Sequence, residues 1–319
     1  MLPSLQKLCR TAQKTAKTLL ETPKKWLAAL VALPVVACAL PAVAQSAETA
    51  AQAAPDPTVS WWQAIILGLV QGLTEFIPVS SSAHLNIAHH FMGHDRELTF
   101  DVFLHVGTVA ALVFYFRHDW KELLFNRAQR KMLGYILLAC VPAAIVGFAT
   151  REWQDTHPLF KDPRSNAIML IVGGALLLLA DKISAKKREI KDVSAKDAVL
   201  VGIGQACALI PGVSRSGATL TAGLFLGFKR EDAMRFSFLM SLPIMLGAFA
   251  FEFRGLLEEG GLTSMDASPF AVFLGILASA LSGLWAIAFL LNYLKTRDVT
   301  PFFVWRVVVA ILVFALLAR

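Results

Sequence analysis

From Trp61 onward the chain is a succession of apolar runs separated by short polar breaks. Read between those breaks, the pattern predicts helices over 61–77, 81–92, 100–117, 131–150, 166–182, 197–210, 215–227, 232–252, 269–294 and 300–318. A helix of about 20 apolar residues spans the hydrocarbon core of a bilayer, so the recurrence of such runs predicts an all-α polytopic membrane protein. The pairs 61–77/81–92 and 197–210/215–227 differ from the others. Their members are short, and Pro78 with the serines after it, or Pro211 with Gly212, interrupts them. Irregular backbone survives at membrane depth only where protein or a water-filled cavity satisfies it. These two pairs therefore predict re-entrant helical hairpins, which leaves six spanning helices.

The pattern repeats at an offset of 134 residues. Gly68, Gln71, Ser80 and Ser82 match Gly202, Gln205, Ser214 and Ser216, and Gly93, Arg96 and Glu97 match Gly227, Arg230 and Glu231. The same shift carries 131–150 onto 265–284 and 166–182 onto 300–316. Three predicted spans separate the hairpins, so the hairpins enter from opposite faces. The expectation is an inverted-topology repeat, residues 61–182 and 196–318, with a site near the midplane between the halves.

Composition agrees with this reading. The chain is 56% hydrophobic and 17% charged, against about 25% charged in soluble domains. Of the net charge of +7, the first 25 residues contribute +5. The remainder is close to neutral, with its lysines and arginines in short loops, which argues against nucleic acid as a partner. Basic loops 117–131 and 182–196 and the turn 295–297 predict the cytoplasmic face, while 151–165 and 253–268 face out. Residues 1–44 read as a signal-peptide-like leader: a basic start, the run "WLAALVALPVVACAL", and Ala42 and Ala44 before Gln45. An uncleaved helix is the alternative. Residues 45–60 then form an exported Ala/Pro-rich linker, and residue 60 lies outside, as the loop charges also require. The cysteines show no metal-ligand spacing.

The broken segments carry the chemistry. "GLTEFIPVSSSAH" (72–84) places Gln71 and Glu75 one helical turn apart on one face, and a carboxylate in lipid is costly enough to suggest function. After Pro78, one of Ser80, Ser81 and Ser82 is expected to cap the next helix, whose free amides attract anions. His84 falls in that first turn. "ALIPGVSRSGAT" (208–219) adds Arg215, a planar cation suited to bidentate phosphate binding, with Ser214, Ser216 and Thr219 as hydroxyl donors. Arg215 is expected to point at the seat above Ser81, with Glu75 as the available counter-charge. His89, His90, His94, His118 and His157 read as interfacial, and His105, near Asp101, as a support behind the site. The alternative for the serines is interhelical packing.

These stretches, with "FSFLMSLP" at 236–243, resemble the undecaprenyl-diphosphate phosphatase family of bacterial inner-membrane enzymes over about residues 61–318. The resemblance implies hydrolysis of undecaprenyl diphosphate to the monophosphate, recycling the carrier lipid for peptidoglycan synthesis. It implies a link to bacitracin resistance and a multi-pass inner-membrane location with the site facing the periplasm. It also implies a divalent cation, Mg²⁺ or Ca²⁺, and a polyprenyl diphosphate as partner; a homodimer is a separate candidate assembly that the sequence does not decide. Carried over by position, Glu75 holds the metal with Gln71 or transfers a proton, and Ser81 is the nucleophile or a phosphate contact. His84 is the acid/base and Arg215 clamps the diphosphate with Ser80, Ser82, Ser214, Ser216 and Thr219. Gln71 departs from the glutamate of many relatives, and the leader is unusual for the family. A covalent phosphoserine and direct attack by water both remain open at this stage. A transporter or flippase is the competing expectation, because broken helices in inverted repeats also build carriers.

Overall fold

A computed structural model describes residues 59–93, 98–258 and 267–317. The predicted leader (1–44) and nearly all of the linker lie outside the described residues. Thirteen α-helices follow in order. The first six are α1 (Trp61–Phe76), α2 (Ser81–Met92), α3 (Leu98–Tyr115), α4 (Arg117–Phe125), α5 (Arg130–Ala149) and α6 (Arg151–Thr156). They are followed by α7 (Pro158–Lys161), α8 (Pro163–Ile183), α9 (Ala195–Cys207), α10 (Arg215–Phe225), α11 (Arg230–Glu258), α12 (Pro269–Leu294) and α13 (Thr300–Leu317). Among the described residues the only β-type pairings are isolated bridges, Val59 with Ala267 and Arg188 with Phe228.

Among the described residues, five helices are long and apolar enough to cross a membrane: Arg127–Ala149, Pro163–Ile183, Arg230–Gly255, Pro269–Leu294 and Thr300–Leu317. A sixth span arises only if Phe100–Tyr115 and Arg117–Phe125, which meet at a 67° bend, count as one. The stretch expected as a basic loop after residue 117 is thus partly helical. Its apolar positions are too few to bury more than Leu123 of α4. Large apolar side chains such as Ile145, Phe148, Leu281, Trp285 and Ile311 point outward. On a water-soluble protein so wide an exposed apolar surface would drive association; on this one it is the lipid-facing wall. The chain is a membrane protein.

Small residues set the helix spacing. α1 lies along α12, and a Cβ at Gly68 would fall 2.3 Å from the Gly275 carbonyl oxygen. α9 lies along α5 in the same manner, and a Cβ at Gly202 would fall 2.4 Å from the Ala139 oxygen. Lipid tails are as apolar as leucine, so such close backbone approach and its dispersion contacts replace the hydrophobic drive of soluble cores. Ser279 of α12 adds a bond to α3, its hydroxyl donating to the Leu104 carbonyl at 2.8 Å.

Two chain breaks matter for function. Between α1 and α2, Pro78 cannot donate to a continuing helix, and Ser80 adopts φ 74°. Between α9 and α10, Pro211 and Gly212 break the chain and Ser214 adopts φ 71°. Positive φ at a residue with a side chain costs about 1–3 kcal/mol and persists only where surroundings impose it. In both breaks the hydroxyl of the strained serine sits 3.2 Å from that of the serine two positions on, Ser82 or Ser216. Gly212 (φ 93°) must remain glycine for space as well, because a Cβ there would meet the Asn166 carbonyl oxygen at 2.3 Å.

Candidate active site

α1 ends with Gln71 and Glu75 on the face turned toward both breaks. Glu75 is the hub. Its Oε1 accepts from Arg215 Nη2 at 3.0 Å. Its Oε2 accepts from the Ser81 hydroxyl at 2.7 Å and from Gln71 Nε2 at 3.2 Å. Helix spacing accounts for the Gln71 bond, and the turn at Pro78 returns the chain so that Ser81 faces the carboxylate it has just left. Only tertiary packing brings in Arg215. The carboxylate and guanidinium side chains are 10% and 18% exposed, which shields the pair from water and strengthens it.

Glu75, Ser81 and Arg215 line a cleft of about 130 Å³ together with Thr74, Ser80, Ser82, Pro211, Gly212 and Ser214; Gln71 is fully buried and does not line it. The N-termini of α2 and α10 both open onto it. α2 begins without a side-chain cap, so its first amides keep their partial positive charge for an anion. At α10 the Ser214 hydroxyl accepts from the Gly217 amide at 3.3 Å. Two buried polar atoms of the hub lack partners among the described residues: Gln71 Oε1 and Arg215 Nη1. One is an acceptor suited to a cation and the other a donor suited to a phosphate oxygen.

The remaining predicted residues fall outside this hub. The two ring nitrogens of His84 are engaged elsewhere, Nδ1 with the Ser80 carbonyl at 2.8 Å and Nε2 with Trp305 Nε1–H at 2.8 Å. That pattern makes Nδ1 the protonated nitrogen, and no hydrogen bond joins the imidazole to Ser81 or Glu75. Ser216 donates to the Ile77 carbonyl at 3.4 Å. Thr219 is buried against α11, 2.6 Å from the Ser237 hydroxyl, and does not line the cleft. His89 corrects the interfacial reading: it is buried, with Nε2 3.1 Å from Asp101 Oδ1. The imidazole is closed off from solvent, with the carboxylate as partner to Nε2 and Nδ1 unpartnered among the described residues. His105 lies one turn from Asp101 and bonds its carbonyl at 2.9 Å.

Two residues escaped the sequence reading. Trp305 holds His84. Arg306, fully buried in α13, donates to the Pro78 carbonyl at 2.7 Å and to the Val213 carbonyl at 3.0 Å. The signal was present in "FFVWRVVVA", a single cation inside a span.

The family model described as "Bacitracin resistance protein BacA" matches residues 64–312. The chain belongs to this family. Among curated members, the undecaprenyl-diphosphatase of Gemmatimonas aurantiaca is 42% identical over 269 residues, covering 81% of this chain and 98% of the relative. That of Geotalea daltonii is 43% identical over 265 residues, covering 79% and 96%. That of Methanobrevibacter smithii is 36% identical over 274 residues, covering 79% and 96%. The match to the BacA family takes in both chain breaks and every residue of the Glu75 hub.

Proposed function

We propose that this BacA-family chain hydrolyses undecaprenyl diphosphate to undecaprenyl phosphate and inorganic phosphate at the cleft around Glu75. The observation that carries the reading is one carboxylate shared by a hydroxyl and a guanidinium, Ser81 Oγ on Oε2 and Arg215 on Oε1. An anhydride between phosphates is cleaved mainly by positioning and by stabilising charge on the oxygens. The free Nη1 of Arg215 and the amides at the start of α2 receive phosphate oxygens. Glu75 takes the proton from the attacking oxygen, a water or the Ser81 hydroxyl, as the bond between the terminal phosphorus and the bridging oxygen breaks and undecaprenyl phosphate leaves. On the Ser81 route a water then cleaves the phosphoserine to inorganic phosphate and restores the hydroxyl. A transporter does not need a proton acceptor bonded to a nucleophile, and the relatives' names favour hydrolysis.

The hub also fits a divalent cation. Mg²⁺ is held by one or two carboxylates together with substrate phosphates, and Ca²⁺ by carboxylate and amide oxygens. Glu75 and the unpartnered Gln71 Oε1 are such oxygens. They would hold the ion, which when bound supplies charge neutralisation for the diphosphate. Among the described residues no cluster of three or more His, Cys, Asp or Glu side chains is placed to hold a metal ion.

The finer architecture belongs to the same proposal. The breaks at 77–80 and 208–214 are the tips of two re-entrant hairpins, related by an inverted repeat of 61–182 and 196–318. Paired features support it: Ser80 and Ser214 with positive φ, Gly68 and Gly202 with tight backbone approach, and α1 on α12 against α9 on α5. The same proposal has the chain in the inner membrane with the cleft opening to the periplasm, an orientation that the lysines and arginines of the short loops support.

The test is phosphate release from undecaprenyl diphosphate by detergent-purified protein, where vectorial movement has no meaning. Mg²⁺- or Ca²⁺-dependent release, abolished by EDTA and reduced about 10²-fold or more in Ser81→Ala, is the expected result. Wild-type protein with no release, or Glu75→Ala with full release, would overturn the assignment.

A further inference from the structure

Arg306 is the only charged residue of α13 and is fully buried. Among the described residues no carboxylate pairs with it; its bonds go to two backbone carbonyls, Pro78 O at 2.7 Å through Nε and Val213 O at 3.0 Å through Nη2. A lone guanidinium in a span is expensive, and the chain makes room for it deliberately. A Cβ at Gly217 would fall 2.3 Å from Nη2, one at Gly173 2.9 Å from Nη1, and one at Gly174 3.0 Å from Cδ. A residue tolerated merely as a stray charge would not need a slot cut by three glycines on two helices.

The placement of the two acceptors is informative. Pro78 lies two residues before Ser80 and Val213 one residue before Ser214, the two strained serines that start α2 and α10. One rigid planar fork therefore touches both breaks just ahead of the helices that present Ser81 and Arg215. A guanidinium can hold two acceptors at a set separation, whereas an ammonium is a single flexible point charge.

We infer that Arg306 is a positioning residue for the phosphatase reaction. It clamps the carbonyls of the two breaks and so fixes the separation of the α2 and α10 N-termini across the cleft. The inference rests on the function proposed above. Arg306 does not line the cleft; it acts through the backbone that carries Ser81 and Arg215. Misplacement of reacting groups by about 1 Å costs on the order of 10²-fold in rate, and that is the scale of loss expected on breaking the clamp.

The experiment compares Arg306→Met and Arg306→Lys with wild type as full-length protein in detergent. Steady-state kinetics on undecaprenyl diphosphate are read together with spin-label distances between cysteines placed at Phe91 and Phe225, with native cysteines replaced. Both variants are expected to lose about 10²-fold in kcat while KM stays within about threefold, and their distance distributions broaden. Lysine keeps the charge but not the two-point clamp, so wild-type kcat in Arg306→Lys would overturn the inference. So would narrow, unshifted distances in either variant, or undiminished kcat in folded Arg306→Met. Should Arg306→Met not fold, Arg306→Lys alone decides. Wild-type protein that releases no phosphate would sink the proposed function instead, and the distances would still judge the clamp.

Discussion

Arg215 and Glu75 stand 140 positions apart in sequence, yet Nη2 of one donates to Oε1 of the other at 3.0 Å. The bond ties the break after α1 to the break after α9 at the centre of the cleft. Breaking a buried pair by removing one partner typically costs about 3–5 kcal/mol, because the other charge is stranded. Glu75→Ala and Arg215→Ala are each expected to lower thermal stability in detergent by that order. The double variant is expected to be more stable than either single variant, while phosphate release is lost in all three. Additive destabilisation in the double-mutant cycle would show that the pair is not coupled.

Gln71 offers a second test. Its Nε2 donates to Glu75 Oε2 at 3.2 Å and its Oε1 has no partner. Gln71→Glu replaces that donor with a like charge one turn away. Without divalent cation the variant is expected to unfold at lower temperature than wild type. With Mg²⁺ or Ca²⁺ the order narrows or reverses, and half-maximal activity is reached at about tenfold lower metal concentration. An unchanged metal dependence would remove Gln71 from the cation site.

His84 is engaged by the Ser80 carbonyl and Trp305 rather than by Ser81. His84→Gln is therefore expected to lose at least about tenfold less activity than Glu75→Gln, since it removes a support and not the proton acceptor. Trp305→Phe is expected to mimic it, and the two together to cost little more than either. Losses equal to those of Glu75→Gln would restore the imidazole as the acid/base.

A pH effect arises far from the cleft. Asp197, in the first turn of α9 and outside the five candidate spans, is bonded by Arg188 at 2.6 Å and by the Ser194 hydroxyl at 2.6 Å. Burial disfavours its charged form, but these bonds outweigh burial and hold the carboxyl at about 2, below its ordinary 3.8. A depressed native pKa stabilises the fold above the unfolded value and is lost as pH falls through the native one. The contribution, on the order of 2 kcal/mol, should be complete above pH ~4 and vanish near pH ~2. Asp197→Asn is expected to lower stability at neutral pH and to flatten the stability curve over that window, measured by thermal unfolding across pH.

Much of the fold was legible in the chain because a bilayer leaves few choices. A backbone that must satisfy its own polar groups in lipid is either helical or a closed barrel, and long unbroken apolar runs, unlike alternating ones, select helices and mark the spans. Pro78, Pro211 and Gly212 announced the breaks for the same reason. The Gln71–Glu75 bond and the return of Ser81 to Glu75 are local, set by helical spacing and one tight turn. The bend at residue 116 was not legible, because α4 is an amphipathic stretch whose charges read as loop.

What the sequence determined by itself is which residues are too costly to lie in lipid without purpose: Glu75, Ser81, Arg215 and, overlooked in its apolar setting, Arg306. Which of them meet was decided by tertiary structure alone. Desolvation raises the cost of each polar group wherever it sits, so it can be read one residue at a time. A hydrogen bond between residues more than a hundred positions apart depends on how separate helices pack, and small residues such as Gly68, Gly202 and Gly217 set that packing through distances that no local pattern encodes.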